Sequence, residues 1–137
     1  MTCHPISGWL DKKGCMTVAK ILIVEDYPVT QRVLSLTLKN SGHDVQIANH
    51  GVEALEQLDI APVDLALVDI AMPEMDGLEL LRHLRSDKRY NALPVIMLTA
   101  SGQDEDRQKA LTIGADGFLT KPTSSRELLE TIQRFTG

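Results

Sequence analysis

No apolar run in the 137-residue chain approaches the roughly 18 to 20 residues of a membrane span, and the N-terminus lacks the h-region of a secretory signal. Cysteine is scarce. Cys3 and Cys15 both fall in the first 15 residues, too few and too widely spaced for a disulfide framework or a zinc knuckle, and His4 beside Cys3 has no further ligands near it. Positive charge is in deficit as well, with 14 Lys and Arg against 19 Asp and Glu and a net charge of −5. The basic residues are scattered, which argues against a nucleic-acid surface, since such a surface clusters cations against phosphates. These absences lead us to expect a cytoplasmic protein with neither nucleic acid nor membrane among its partners.

What is present is enough apolar sequence, 43% of residues, for a single core. Residues 1–17, "MTCHPISGWLDKKGCMT", follow neither the strand nor the helix period and read as a flexible extension ahead of one domain spanning 18–137. From there a regular alternation begins. Five short apolar runs, "AKILIV" (19–24), "DVQIA" (44–48), "DLALVD" (64–69), "PVIMLT" (94–99) and "GFLT" (117–120), are continuous, as strands covered on both faces should be. Between them apolar residues fall one helical turn apart: Val29, Val33 and Leu36; Leu55 and Leu58; Leu80 or Leu81 with Leu84; and Leu128, Leu129, Ile132 and Phe135. Gly42, Gly77 and Gly114 punctuate the helix ends. A β-α unit repeated five times implies an open, doubly wound parallel sheet, an α/β fold with right-handed crossovers and helices on both faces.

In such sheets functional groups gather beyond the carboxyl ends of the strands. Glu25 and Asp26 follow the first run, Asp69 ends the third, Thr99 ends the fourth, and Lys121 and Pro122 follow the fifth. Each residue alone suits a cap, a strand or a solvated surface. Their joint placement on one edge is less ordinary. Three neighbouring carboxylates repel one another unless cations compensate. Mg²⁺, held by one or two carboxylates while keeping waters for a phosphate, and the mobile ammonium of Lys121 are suitable compensators. An apolar strand ending on Asp69 then makes sense if that carboxylate attacks phosphorus to form an acyl phosphate. In-line positioning, cations and a hydrogen bond from the Thr99 hydroxyl would supply the catalysis.

The ordered motifs "ILIVED", "LVDIAMPEMDG", "LPVIMLTA" and "GADGFLTKP" resemble the CheY-like receiver domains of bacterial two-component response regulators over about residues 19–136. The resemblance implies a flavodoxin-like sheet in the order 2-1-3-4-5 with five helices. Asp69 then corresponds to the phosphoacceptor, Asp26 to a direct Mg²⁺ ligand, Glu25 to an acid acting through a bound water, and the Ala71 carbonyl to the remaining protein ligand. Thr99 corresponds to the switch hydroxyl, Lys121 to the phosphate-pairing ammonium, Pro122 to the proline after a cis peptide, and Phe118 to the ring that moves on phosphorylation. Glu25 stands where many receivers carry Asp. Ala71 and Ser101 offer no acid or amide to orient a hydrolytic water, so a long-lived phosphoryl group is expected.

The stretch "VEDYPVTQ" is similar to receivers of hybrid histidine kinases, which implies a histidine kinase or a His phosphotransfer protein as the phosphodonor. The expected output is a phosphorylation-driven shift of the face formed by the fourth helix, fifth strand and fifth helix, the fourth helix carrying only a weak apolar stripe of Ala110, Leu111 and Ile113. The chain ends soon after its fifth helical pattern, so it reads as a stand-alone receiver, a signalling phosphoacceptor and not an enzyme acting on other substrates. Two rival readings are a phosphorylation-independent interaction module and an aspartyl-phosphate phosphatase. The latter needs a second acid two residues after the nucleophile, and that position is Ala71.

Overall fold

Five parallel strands, β1 (Lys20–Val24), β2 (Asp44–Ala48), β3 (Leu65–Asp69), β4 (Val95–Thr99) and β5 (Gly117–Thr120), form one sheet in the order β2-β1-β3-β4-β5. They alternate with helices α1 (Pro28–Asn40), α2 (Gly51–Ile60), α3 (Gly77–Ser86), α4 (Asp104–Ile113) and α5 (Ser125–Thr136). The computed structural model describes residues 19–70, 76–99, 104–121 and 123–136. The expected extension, 1–17, lies outside them, as do Ala71, Ser101 and Pro122.

Every residue of β3 and β4 is buried, which explains their unbroken apolar runs: period-two alternation sends neighbours to opposite faces, and both faces are covered. Leu22, Val24, Ala66, Val68, Val95 and Met97 meet α2, α3 and α4 through Ala54, Leu58, Leu80, Leu81, Leu84 and Ala110. Their neighbours Ile21, Ile23, Leu65, Leu67, Ile96 and Leu98 meet α1 and α5 through Leu34, Leu38, Leu128 and Ile132. On the edge strand β2, only Ala48 is fully buried.

Local chemistry sets the helix starts. Asp76 caps α3 by accepting from the Glu79 amide at 2.9 Å, His50 Nδ1 caps α2 by accepting from the Glu53 amide at 3.3 Å, and Ser124 Oγ accepts from the Glu127 amide at 3.1 Å ahead of α5. Tyr27, at the same position before α1, makes no side-chain cap; Pro28 opens that helix instead.

The apolar spacing noted in α1 does not mark its buried face. Val29, Val33 and Leu36 are exposed at 58%, 54% and 51%, while Leu34 and Leu38 turn toward the sheet. Apolar residues line two sides of this helix, so periodicity locates it without saying which side is buried. In α4, Ala110 is buried, Ile113 is partly buried and Leu111 is exposed, in keeping with the weak stripe read from the sequence.

Candidate functional site

The end of β1 delivers Glu25 and Asp26 to the carboxyl edge of the sheet, and the end of the adjacent β3 delivers Asp69. Carboxylate oxygens of the three lie within 4.8 Å of one another, with Glu25 and Asp69 buried and Asp26 exposed. Just beyond β5, Lys121 Nζ stands 2.7 Å from Glu25 Oε1 and 3.2 Å from Asp69 Oδ2. Burial works against the Lys121 ammonium, but hydrogen bonding and charge from Glu25 and Asp69 outweigh it and hold its pKa above the ordinary 10.5.

Short backbone ties fix these groups. The Glu25 amide donates to Ala48 O at 3.1 Å, the Lys121 amide to Thr99 O at 2.7 Å and the Ile70 amide to Leu98 O at 3.0 Å. Gly77 N–H donates to Ile70 O at 2.8 Å, and a Cβ at Gly77 would stand 2.2 Å from the Asp69 carbonyl oxygen. Only glycine allows α3 to begin so close to the aspartate.

Thr99, in register with Thr120, ends β4 with a buried hydroxyl that has no hydrogen-bond partner among the described residues. A buried donor left unused is costly, so a group arriving at this edge would find a ready hydrogen bond. Phe118 lies in β5 opposite Met97, half-buried, with the Arg107 guanidinium of α4 at 5.2 Å over its ring. Of the residues singled out in the sequence, Glu25, Asp26, Asp69 and Lys121 are thus brought together; Thr99 ends the strand beside that of Asp69, and Phe118 lies within β5. Beside Lys121 runs an apolar groove of about 350 Å³ lined by Val29, Val33, Leu34, Leu98 and Thr123.

Sequence reasoning missed two polar residues that support the site. Gln31 Nε2 donates to the Glu25 carbonyl oxygen and, at 2.8 Å, to Asn49 Oδ1. Asn49 Nδ2 in turn contacts both Glu53 carboxylate oxygens at 3.4 and 3.2 Å. Neither residue lies in an apolar pattern or a charged cluster, so no spacing marks it.

The arrangement suits a hard, oxygen-seeking divalent cation: three carboxylates converge on one point, one of them open to solvent for water ligands, with no sulfur or imidazole among the donors. The three acids fit Mg²⁺.

Residues 21–133 match the response regulator receiver domain family, and the chain belongs to it. Among its relatives, the chemotaxis protein CheY1 of Helicobacter pylori is 38% identical over 120 residues, covering 86% of this chain and 97% of that protein. A CpxR homologue of Haemophilus influenzae, a transcriptional regulatory protein, is 40% identical over 116 residues, covering 85% of this chain and 49% of that protein. The chain therefore spans about half the length of the transcriptional regulator it matches. The crystal structure of the receiver domain of the sensor histidine kinase PA1611 from Pseudomonas aeruginosa, which has a magnesium ion coordinated in its active-site cleft, superposes with a TM-score of 0.82 at 32% identity, covering 88% of this chain and 99% of that one. The described residues contain no helix long and apolar enough to cross a membrane.

Proposed function

We propose that this receiver accepts a phosphoryl group on Asp69 from a phosphohistidine donor, either a histidine kinase or a His phosphotransfer protein, in a Mg²⁺-dependent reaction. The observation that carries the reading is the meeting of Glu25, Asp26 and Asp69 within 4.8 Å, with the Lys121 ammonium paired to Glu25 and Asp69. Asp26 and Asp69 would hold the ion directly and Glu25 through a water; the Ala71 carbonyl expected to join them lies outside the described residues. An ion held there would supply positive charge against the acids and the phosphoryl oxygens.

A carboxylate oxygen of Asp69 forms the new bond to phosphorus while the bond from phosphorus to the donor imidazole nitrogen breaks, and the imidazole leaves with the electron pair. Lys121 moves from carboxylate to phosphoryl oxygen, exchanging one anionic partner for another. The otherwise unpartnered Thr99 hydroxyl donates a hydrogen bond to a second phosphoryl oxygen. The groove beside Lys121, with Val29 and Val33 on its wall, gives the histidine-bearing donor an apolar surface continuous with the acceptor.

Movement of Thr99 toward the phosphoryl group then draws on the segment leading into α4. That helix packs into the core through Ala110 and Ile113, and its Arg107 guanidinium lies over the Phe118 ring. The output is a population shift of the face made by α4, β5 and α5, read by a protein partner, with residues 18–137 acting as a cytoplasmic receiver.

Incubation with Mg²⁺ and acetyl phosphate followed by intact-mass measurement tests the reading. A phosphoryl mass gain in the wild type that is lost in Asp69→Ala and in EDTA is expected. No gain in the wild type, or a gain retained in Asp69→Ala, would overturn it.

A further inference from the structure

The turn that carries Glu25 and Asp26 into the site is held by few bonds, and a bound cation competes for some of them. Both carboxylate oxygens of Glu25 are engaged, Oε1 with Lys121 at 2.7 Å and Oε2 with the Tyr27 amide at 3.2 Å. Any ligand drawing on that carboxylate redistributes both contacts. Helix α1 gives little independent restraint, because its first turn lacks a side-chain cap and its outer face is exposed.

Beyond the first helical bond, from the Gln31 amide to Tyr27 O at 3.0 Å, two ties to the turn remain whatever the Glu25 carboxylate does. One is the Glu25 amide bond to Ala48 O, an ordinary continuation of the β1–β2 ladder. The other is the Gln31 side chain, whose amide reaches back from α1 to the Glu25 carbonyl and sideways to Asn49 after β2. Asn49 is itself held against Glu53 of α2, and Glu53 Oε1 accepts at 3.2 Å from Gln57, whose Nε2 also reaches Ile47 O at 2.8 Å. The acid-bearing turn is thus braced sideways to two elements that supply no acid to the cluster.

On this geometry we infer that Gln31 is a positioning residue for the metal site: its two-way amide bridge between Glu25 O and Asn49 Oδ1 presets the turn so that Asp26 faces Asp69. The inference rests on the Mg²⁺-dependent reading of the acidic cluster. In a receiver lacking this bridge, part of the cation's binding free energy would go into ordering the turn, and affinity would fall by that amount. Loss of one or two such hydrogen bonds corresponds to about three- to tenfold in affinity.

The test is a calorimetric Mg²⁺ titration of the full chain, wild type against Gln31→Met, which keeps the volume of the side chain and removes its donors. Leu38→Ala serves as the control, since it destabilises α1 from its buried face without touching the turn. Expected are a three- to tenfold weaker Mg²⁺ constant in Gln31→Met, altered amide chemical shifts at Asp26 and Tyr27 in the metal-free protein, and an unchanged constant in folded Leu38→Ala. Wild-type affinity in Gln31→Met would overturn the inference and leave the acidic site standing. Equal weakening in Leu38→Ala would reduce the effect to general loss of stability and overturn it too. Failure of the wild type to bind Mg²⁺ at millimolar concentration would remove the metal-site reading and this inference with it.

Discussion

Lys121 Nζ lies closer to Glu25, at 2.7 Å, than to Asp69, at 3.2 Å. With one methylene more than an aspartate, Glu25 reaches the ammonium from a wholly buried position. In the metal-free protein this lysine is therefore the internal counterion of two buried acids. Lys121→Met should cost about 2 to 3 kcal/mol in urea unfolding with EDTA present, at or below the low end for breaking a buried pair because the lysine side chain is 24% exposed. Saturating Mg²⁺ should recover a large part of that loss by supplying another cation. An identical loss in both conditions would show that the ammonium is not compensating the acids.

Gly77 makes a separate prediction. Since a Cβ there would meet the Asp69 carbonyl oxygen at 2.2 Å and the Ile70 Cα at 2.8 Å, Gly77→Ala must part α3 from the end of β3. The neighbours are backbone and cannot turn aside. We expect a stability loss of about 1 to 3 kcal/mol by thermal unfolding, together with slower phosphorylation by acetyl phosphate, because the displaced segment carries Asp69, the proposed acceptor. A destabilised variant with wild-type phosphorylation kinetics would separate the packing of Gly77 from the placement of Asp69.

The acids, Thr99 and Lys121 were legible in the sequence because each interrupts or follows an apolar strand, where a polar residue needs a reason to be. Strand bounds shifted by no more than one residue, and not at all in the only partly buried β2 and β5. The α1 face was not legible: Val29, Val33 and Leu36 follow a helical spacing as regular as that of the buried Leu34 and Leu38, and only the sheet decides which row is covered. Gln31, Asn49 and Arg85 were hidden for a different reason. Their partners are mostly backbone carbonyls or side chains of distant segments, and a carbonyl has no identity in a sequence.

His43 gives the fold a pH dependence remote from the acidic cluster. Its Nδ1 accepts from the Ala19 amide at 3.1 Å, and burial holds its pKa below the ordinary 6.5 against the opposing charge of Asp44. The unfolded chain therefore binds a proton more readily than the folded one. The stabilisation is fully present above pH 6.5 and is lost as pH falls through the lowered folded value. Denaturant titrations between pH 7.5 and pH 5 (about one to two units either side of the usual imidazole pKa) should show the wild type losing stability relative to His43→Asn, whose side-chain oxygen can accept from Ala19 without titrating. Parallel curves for the two proteins would assign the acid sensitivity to other groups.

Arg85 joins three segments near the amino-terminal edge of β4, the end of the sheet opposite the acids. From the last turn of α3 its Nε donates to Gly114 O at 2.9 Å, Nη1 to Tyr90 O and Leu93 O at 3.2 and 2.9 Å, and Nη2 pairs with Asp116 Oδ2 at 2.8 Å. The same Asp116 oxygen accepts from the Val95 amide at 2.9 Å, so one guanidinium orders both the entry to β4 and the turn from α4 into β5. With a side chain only 15% exposed, water cannot readily replace these bonds, and Arg85→Ala should cost about 2 to 4 kcal/mol in urea unfolding. Arg85→Lys should recover less than half of that, because a single ammonium cannot address four acceptors spread around a planar fork. Faster amide hydrogen exchange at Ala115 and Asp116, whose N–H groups bond to Ala110 O and Val95 O, should accompany the loss. Were Arg85→Lys as stable as the wild type, the charge on Asp116 would be the whole interaction and the fork geometry irrelevant.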